Sequence, residues 1–335
     1  MIERLRSLLG LKKRDPRFSS SPATEEDVVD LFHLLLDQDP DEAARAYWGN
    51  IVSTKQIPIS AIVDALLNSP EFRAARAARF EPTLVNCETF DIFVRSNDLF
   101  IGKAIEQTKQ YEPYVAAQVR RMLQPGHVFV DVGANIGYFT LLAAALVGKG
   151  GRVFAFEPNP DNCRLLRQSL AQNAFDHVTL YEKAVAESAQ QLSLSGGSVD
   201  SNARLMHARE LVGRKGHFTQ VEAVTLDDAL RDLERLDLLK IDIEGAEPRA
   251  WLGMQDVLRK HHPVLITEYA PDLIRLTSDV EPLSYLHQLC QEHAISIIDR
   301  SGNVRAAQSI PEIVEAQAAA ARAGVGHLDL IAFPR

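Results

Sequence analysis

Residues 128–140, VFVDVGANIGYFT, constrain the fold more than any other stretch of the chain. A run of β-forming residues ends beside an acid, Asp131. A loop with glycines at 133 and 137 follows, and apolar residues then resume. A strand that passes through a glycine loop into a helix is the opening unit of a doubly wound sheet. Further β-rich runs at 152–157, 178–185, 237–243 and 263–269 alternate with helical stretches at 137–147, 160–172, 226–235 and 247–260. Their near-continuous apolar character predicts a mostly parallel α/β sheet covered by helices on both faces. AISIIDR (294–300) and LDLIAFP (328–334) read as a terminal β pair, and the alanine-rich stretch between them as a helix or surface loop.

Ahead of this region the pattern is all-helical. Residues 19–23 read as a linker. Thr24 is placed to cap a helix with Asp27 three residues on, and Val28, Leu31, Phe32, Leu35 and Leu36 repeat at helical spacing. DQDPD (37–41) breaks that helix. A second runs through Ala43, Ala44, Tyr47, Trp48 and Ile51, and a third covers 60–67. Ser69 and Pro70 begin another. Tyr47, Trp48 and Phe72 are read as ordinary core residues. The chain thus divides into a tail (1–23), a small helical domain (24–80) and an α/β domain (81–335).

Composition excludes several classes. The net charge of −9 disfavours a nucleic-acid partner, which needs a basic surplus. No run approaches the roughly 18 apolar residues of a membrane span, and the opening segment lacks the apolar core of a signal peptide. Ile2, Leu5, Leu8 and Leu9 fall on one helical face beside Arg4, Arg6, Lys12 and Lys13, in a helix too short to be stable alone. The three cysteines show no CxxC spacing, so neither a zinc site nor a disulfide framework is expected, and a cytoplasmic location fits.

In an open parallel sheet, ligands bind beyond the carboxyl ends of the strands, where the strand order reverses. Gly133 and Gly137 let backbone approach a ligand there, and Glu157, at the tip of the next strand, can accept both hydroxyls of a ribose. The loop lacks the G-x-G-x-x-G spacing that holds a pyrophosphate, and Asp131 would repel phosphate. An amino-acid-bearing nucleoside without phosphate suits the site better, and S-adenosylmethionine is such a ligand.

YEPY (111–114), PGHVFVDVGANIGYFT (125–140), VFAFEPNPDN (153–162), LLKIDIEGAE (238–247) and VLITEY (264–269) resemble, in order, the FkbM-type methyltransferases. The resemblance covers about residues 81–335. It implies a Rossmann-like class I fold with a seven-stranded sheet, S-adenosylmethionine as cofactor, and O-methylation, commonly of sugar or polyketide hydroxyls. By that resemblance Asp131, Gly133, Ala134 and Asn135 line the methionine part, with Gly137 and Asp242 nearby. Glu157 binds the ribose, Pro158 and Asn159 shape the turn beside the adenine, and Glu112 lies toward the amino end. About 55 residues of the helical unit, with LLLDQDPD, AYW and LNSPEF in that order, resemble a short phycobilisome-linker-like helical domain found beside glycan-processing enzymes, which implies docking to such partners.

Methyl transfer to a hydroxyl is an in-line displacement, and the hydroxyl needs a general base or a metal. Lys240, Asp242 and Glu244 alternate along one strand face, and Glu268 ends the next strand. Asp242, Glu268 and Lys240 are therefore the catalytic candidates. If their strands pair at about 4.8 Å, Asp242 and Glu268 could share a divalent cation such as Mg2+. Blander readings pair Lys240 with Glu244, assign Glu247 to the helix dipole, and leave His261 and His262 in a loop. Residues 195–220, with His207, His217, Arg204, Arg209, Arg214 and Lys215, read equally as a lid over an anionic glycan or as a plain insertion. The alternative to a glycan O-methyltransferase is a catalytically inactive cofactor-binding protein acting through its helical domain. The loop spacing disfavours a nicotinamide oxidoreductase, and the charge disfavours a nucleic-acid methyltransferase.

Overall fold

The computed structural model describes residues 22–36, 39–70, 81–95, 98, 100–195, 204–206 and 218–335. The amphipathic face of residues 2–13, Phe72, and His207, Arg209, Arg214, Lys215 and His217 lie outside the described residues. Two compact units form, Met1–Glu81 and Pro82–Arg335. No helix among the described residues is long and apolar enough to cross a membrane.

The first unit holds helices α1 (Glu25–Leu36), α2 (Glu42–Lys55) and α3 (Ile59–Leu67). Thr24 and Asp27 cap α1 reciprocally: the Thr24 N–H donates to Asp27 Oδ2 at 2.8 Å, and the Asp27 N–H to Thr24 Oγ1 at 3.2 Å. Asp41 caps α2 by accepting from the Ala44 N–H at 2.7 Å. Val28, Leu31, Phe32, Leu35, Val52, Ile62 and Leu66 form the core. Tyr47 is not in it, because its ring is 61% exposed and lies edge-on to Trp48. Helical spacing marks a face, and Tyr47 occupies its margin.

The second unit begins with a hairpin, β1 (Pro82–Asn86) and β2 (Asp91–Arg95), followed by α4 (Ile101–Thr108) and α5 (Pro113–Met122). The doubly wound part then runs β3 (Val128–Val132), α6 (Tyr138–Val147), β4 (Arg152–Phe156), α7 (Pro160–Gln172) and β5 (Val178–Tyr181). Strands β6 (Ala184–Val185), β7 (Gln190–Ser195), β8 (Arg204–Met206) and β9 (Phe218–Val224) make a separate four-stranded sheet. The chain returns through α8 (Leu226–Ala229), β10 (Leu238–Ile241), α9 (Glu247–Leu252), α10 (Gln255–His261) and β11 (Val264–Tyr269). It ends with α11 (Pro271–Ser278), α12 (Pro282–Glu292), β12 (His293–Ile298), β13 (Val304–Ala306), α13 (Ile310–Arg322) and β14 (Leu328–Pro334).

The main sheet has the order β13-β12-β14-β11-β10-β3-β4-β5. Strands β5, β4, β3, β10 and β11 are parallel, and β14 is antiparallel to both β11 and β12. Apart from β13, this is the Rossmann-like, mostly parallel seven-stranded sheet expected from the sequence. The short β13 adds an eighth, edge strand where seven were expected. Side chains alternate across the sheet as the pleat requires. Phe129, Leu238 and Ile266 join one core with α4 to α7, while Val130, Leu239 and Leu265 join the other with α9, α10 and α12.

Three expected elements differ. The run 178–185 splits between two sheets, β5 and β6. The helix expected over 226–235 is the single turn α8. The helix expected over 247–260 breaks at Gly253, whose carbonyl accepts from the Asp227 N–H at 3.0 Å instead of continuing the helical ladder.

The hairpin is tied to α7 by side chains. Asn173 Oδ1 accepts from the Asp91 N–H at 2.8 Å, its Nδ2 donates to the Asp91 carbonyl at 2.6 Å, and Ser169 Oγ accepts from the Phe93 N–H at 2.9 Å. Asn173→Ala strips two partners from one backbone residue. It is expected to destabilise the second unit by about 1–3 kcal/mol, read from urea unfolding.

Candidate active site

Between β3 and β10 the strand order turns back on itself, and a crevice opens over the strand ends there. The loop after β3 is held tightly. The Gly133 and Ala134 N–H groups both donate to the Phe156 carbonyl, at 2.9 and 3.0 Å. Gly133 has φ of +87°, and a Cβ on it would stand 1.9 Å from the Asp242 carbonyl oxygen. The loops leaving β3 and β10 therefore touch backbone to backbone, which only glycine permits.

Two buried glutamates fix these loops. Glu157 takes the Asn135 N–H on Oε2 and the Asn159 N–H on Oε1, both at 2.8 Å, with Asn162 Nδ2 at 3.4 Å. Burial pushes its carboxyl up to about 7 against the pull of those donors. Glu247 plays the matching part after β10. Its Oε1 accepts from the Ile243 N–H at 2.9 Å and the Gly245 N–H at 3.3 Å. Burial and Glu268 push it up to about 8. It is thus a loop anchor, beyond the helix-dipole role read from its position in the sequence.

A cavity of about 210 Å³ lies between the loops. Gly133, Ala134, Asn135, Glu157 and Pro158 line one side. Lys240, Asp242, Glu244, Glu268 and His327 line the other, with Tyr111, Glu112, Tyr138 and Phe139 between. Three residues expected at the ligand are off this wall. Asp131 is buried beneath it, with Oδ2 accepting from Thr140 Oγ1 at 2.6 Å. Gly137 abuts the Leu166 side chain. Asn159 caps α7, accepting from the Asp161 N–H at 3.0 Å. Asp131 stands one residue inside the strand, and its pleat direction carries it under Lys240, its register partner on β10.

Lys240 is 3% exposed, yet it carries its charge. Burial alone would lower its pKa; the neighbouring Asp242, Asp131 and Glu112 outweigh that and raise it. Its Nζ donates to Asp242 Oδ2 at 2.8 Å and sits 4.6 Å from the Phe139 ring centroid. The sequence reading paired Lys240 with Glu244; here the ion pair is with Asp242, while the strand ends at Ile241 and Glu244 stands in the following loop at φ +55°. Glu112 faces the cavity at φ +41°, and its buried Oε2 has no hydrogen-bond partner. Burial and the Asp242 charge push Glu112 up to about 8.

β10 and β11 are neighbours, with Ile241 opposite Thr267, so Asp242 and Glu268 follow side by side. The pair does not fit a divalent cation. Asp242 Oδ2 is taken by the Lys240 ammonium, and Glu268 Oε1 by His327 Nδ1 at 2.9 Å. Among the described residues no group of three or more His, Cys, Asp or Glu side chains is placed to hold a metal ion. Burial, then the charges of Asp242, Glu244 and Asp329, hold the Glu268 carboxyl well above the ordinary range. His327 was missed by sequence reasoning, since it precedes its strand and belongs to no motif. His261 and His262 lie at the end of α10, away from the cavity.

Residues 131–286 match the family described as the methyltransferase FkbM domain. The 31-O-demethyl-FK506 methyltransferase FkbM of Streptomyces tacrolimicus is 30% identical over 40% of this chain and 62% of its own length. The 2-O-methyltransferase NoeI of Sinorhizobium fredii is 26% identical over 47% of this chain and 69% of its own. The hexuronic acid methyltransferase AglP of Haloferax volcanii is 25% identical over 46% and 62%. The chain spans about three-fifths of the first curated relatives it matches. A solved FkbM methyltransferase from Methylobacillus flagellatus aligns with 91% of this chain and 77% of its own, at 14% identity and a TM-score of 0.38.

The Lys240 cation offsets acids that burial already strains. Glu112, Glu157 and Glu247 bind protons in the folded chain that the unfolded chain has released, so stability falls as pH rises from about 4.5 to about 8. Lys240→Met is expected to cost about 3–5 kcal/mol at pH 8 and to steepen that fall, measured by urea unfolding from pH 5 to 9.

Proposed function

We propose that the chain, whose residues 131–286 match the FkbM methyltransferase domain, is an S-adenosylmethionine-dependent O-methyltransferase acting on a sugar hydroxyl of a glycan, polysaccharide or glycosylated metabolite. One observation carries the reading. A single cavity at the switch point joins the glycine loop and Glu157 on one side to the Asp242, Glu268 and His327 group on the other. The names of the relatives, a 2-O-methyltransferase and a hexuronic acid methyltransferase among them, support the sugar acceptor.

The residues present fit the cofactor. The orphaned Oε2 of Glu112 offers an acceptor for an ammonium group. Glu157 keeps lone pairs beyond its backbone donors for ribose hydroxyls, and Gly133 to Asn135 present backbone to the ligand. S-adenosylmethionine supplies an electrophilic methyl on a sulfonium. The chain must align the acceptor oxygen with it, which can contribute several kcal/mol. Glu268 takes the hydroxyl proton as that oxygen attacks, and its raised pKa makes it a stronger base than an ordinary carboxylate. Lys240 is not that base, because its proton is held by Asp242; it fixes Asp242 on the wall instead.

Calorimetric titration of S-adenosylmethionine tests the reading. Binding is expected in the micromolar range, weakened tenfold or more by Glu157→Ala, or about 1.4 kcal/mol. Ionised Glu157 accepts from hydroxyls more strongly than the neutral acid does, so affinity should also fall as pH drops below about 7. Glu268→Gln is expected to keep cofactor affinity and lose about 100-fold in turnover on a sugar acceptor, followed by mass spectrometry. No binding by the unaltered protein would overturn the proposal.

A further inference from the structure

Behind Glu268 stands a chain of two side chains from the C-terminal part of the fold. His327 Nδ1 lies 2.9 Å from Glu268 Oε1, and its Nε2 lies 2.6 Å from Arg300 Nη2. A guanidinium only donates, so the Arg300 contact requires a bare lone pair on Nε2. The ring proton then sits on Nδ1 and is donated to Glu268. Asp329 Oδ2, at 3.9 Å from Nε2, is too far to compete with Arg300.

The fold builds this chain deliberately. Arg300 belongs to the turn after β12, where Asp299 Oδ1 accepts from the Ser301 and Asn303 N–H groups, each at 2.9 Å. Its guanidinium lies 4.6 Å from the Tyr114 ring centroid, which limits where it can point. His327 directly precedes β14, and β14 pairs Asp329 with Glu268. We infer that His327, held in its Nδ1–H tautomer by Arg300, is the positioning residue that orients Glu268 toward the acceptor hydroxyl and favours the carboxylate that takes its proton. The inference rests on the reading of Glu268 as base given above.

The groups facing Glu268 define what His327 must offset. Asp242 and Glu244 approach from the loop after β10, Asp329 from β14, Glu112 from the start of α5 and Glu247 from α9. Lys240 opposes them, and Tyr111 is near. In that acidic surrounding, a neutral N–H donor favours the ionised carboxyl without adding a second buried cation. Its loss raises the proton affinity of Glu268. Because the base must be ionised, the acid limb of kcat then moves to higher pH.

The experiment pairs a pH profile with ring nitrogen NMR. In the unaltered protein, 15N shifts should show His327 protonated at Nδ1 and bare at Nε2, and Arg300→Met should move proton population to Nε2. His327→Leu should shift the acid limb of kcat upward by about one pH unit and lower kcat about tenfold near neutrality, with KM for S-adenosylmethionine within about twofold. His327→Asn places an amide donor near Nδ1 and should restore the limb. His327→Gln reaches instead toward Nε2 and should not. An Nε2–H ring, or an unmoved acid limb in His327→Leu that still turns over, overturns the inference. If His327→Leu fails to fold, the tautomer and the Asn–Gln contrast decide. Absent cofactor binding in the unaltered protein marks failure of the parent reading instead.

Discussion

One buried ammonium organises the strand ends. Lys240 Nζ lies among Asp242, Asp131 and Glu112 and over the Phe139 ring. Such a charge survives burial only because acids surround it, and in return the ammonium opposes the burial that pushes Glu112 and Asp131 up. Asp131 cannot serve both this cluster and a ligand. The pleat that turns Lys240 toward the helices α6 and α5 turns Asp131 the same way, where Thr140 donates to its Oδ2. The cluster therefore sets which acids reach the cavity and which remain beneath it.

Above the cluster, the shape of the cavity comes from backbone held by carboxylates. Glu157 gathers the N–H groups of Asn135 and Asn159, and Glu247 gathers those of Ile243 and Gly245. The end of α11 adds Thr277 Oγ1 to the Glu244 carbonyl at 2.9 Å and Ser278 Oγ to the Gly245 carbonyl at 2.6 Å. Both loops are thus fixed by hydrogen bonds before any ligand arrives. That preorganisation is what an alignment-driven transfer needs, since reacting atoms misplaced by about 1 Å can cost 100-fold.

The strand-turn-helix pattern of residues 128–140 was readable because every local preference agrees with the fold: β-formers, a glycine where φ is +87°, and a buried helix. That Asp242 and Glu268 share one edge was readable too, because parallel strands expose their C-terminal residues there; that their strands are neighbours was only a condition, which the pairing of β10 with β11 meets. Asp131 was harder to place. Sequence puts it near a tip, and only the register with Lys240 shows it facing a cation under the wall. The cation site failed for a similar reason, since spacing places two carboxylates side by side without showing that each already has a partner. Tyr47 shows the same limit at a helix margin.

His327 was hidden by direction. In parallel strands the residues just after each strand reach the functional edge, so a search of strand tips finds Glu157, Asp242 and Glu268. β14 runs the other way. Its functional end is its beginning, and the residue delivered there is the one before the strand. β12, antiparallel to β14, ends at the same edge and brings Arg300 from the turn that follows. The reversed β14, set between β11 and β12 in a mostly parallel sheet, therefore draws side chains from 299–303 and 327–329 to the edge served by β10 and β11. No sequence motif spans those segments, because what joins them is sheet polarity rather than spacing along the chain.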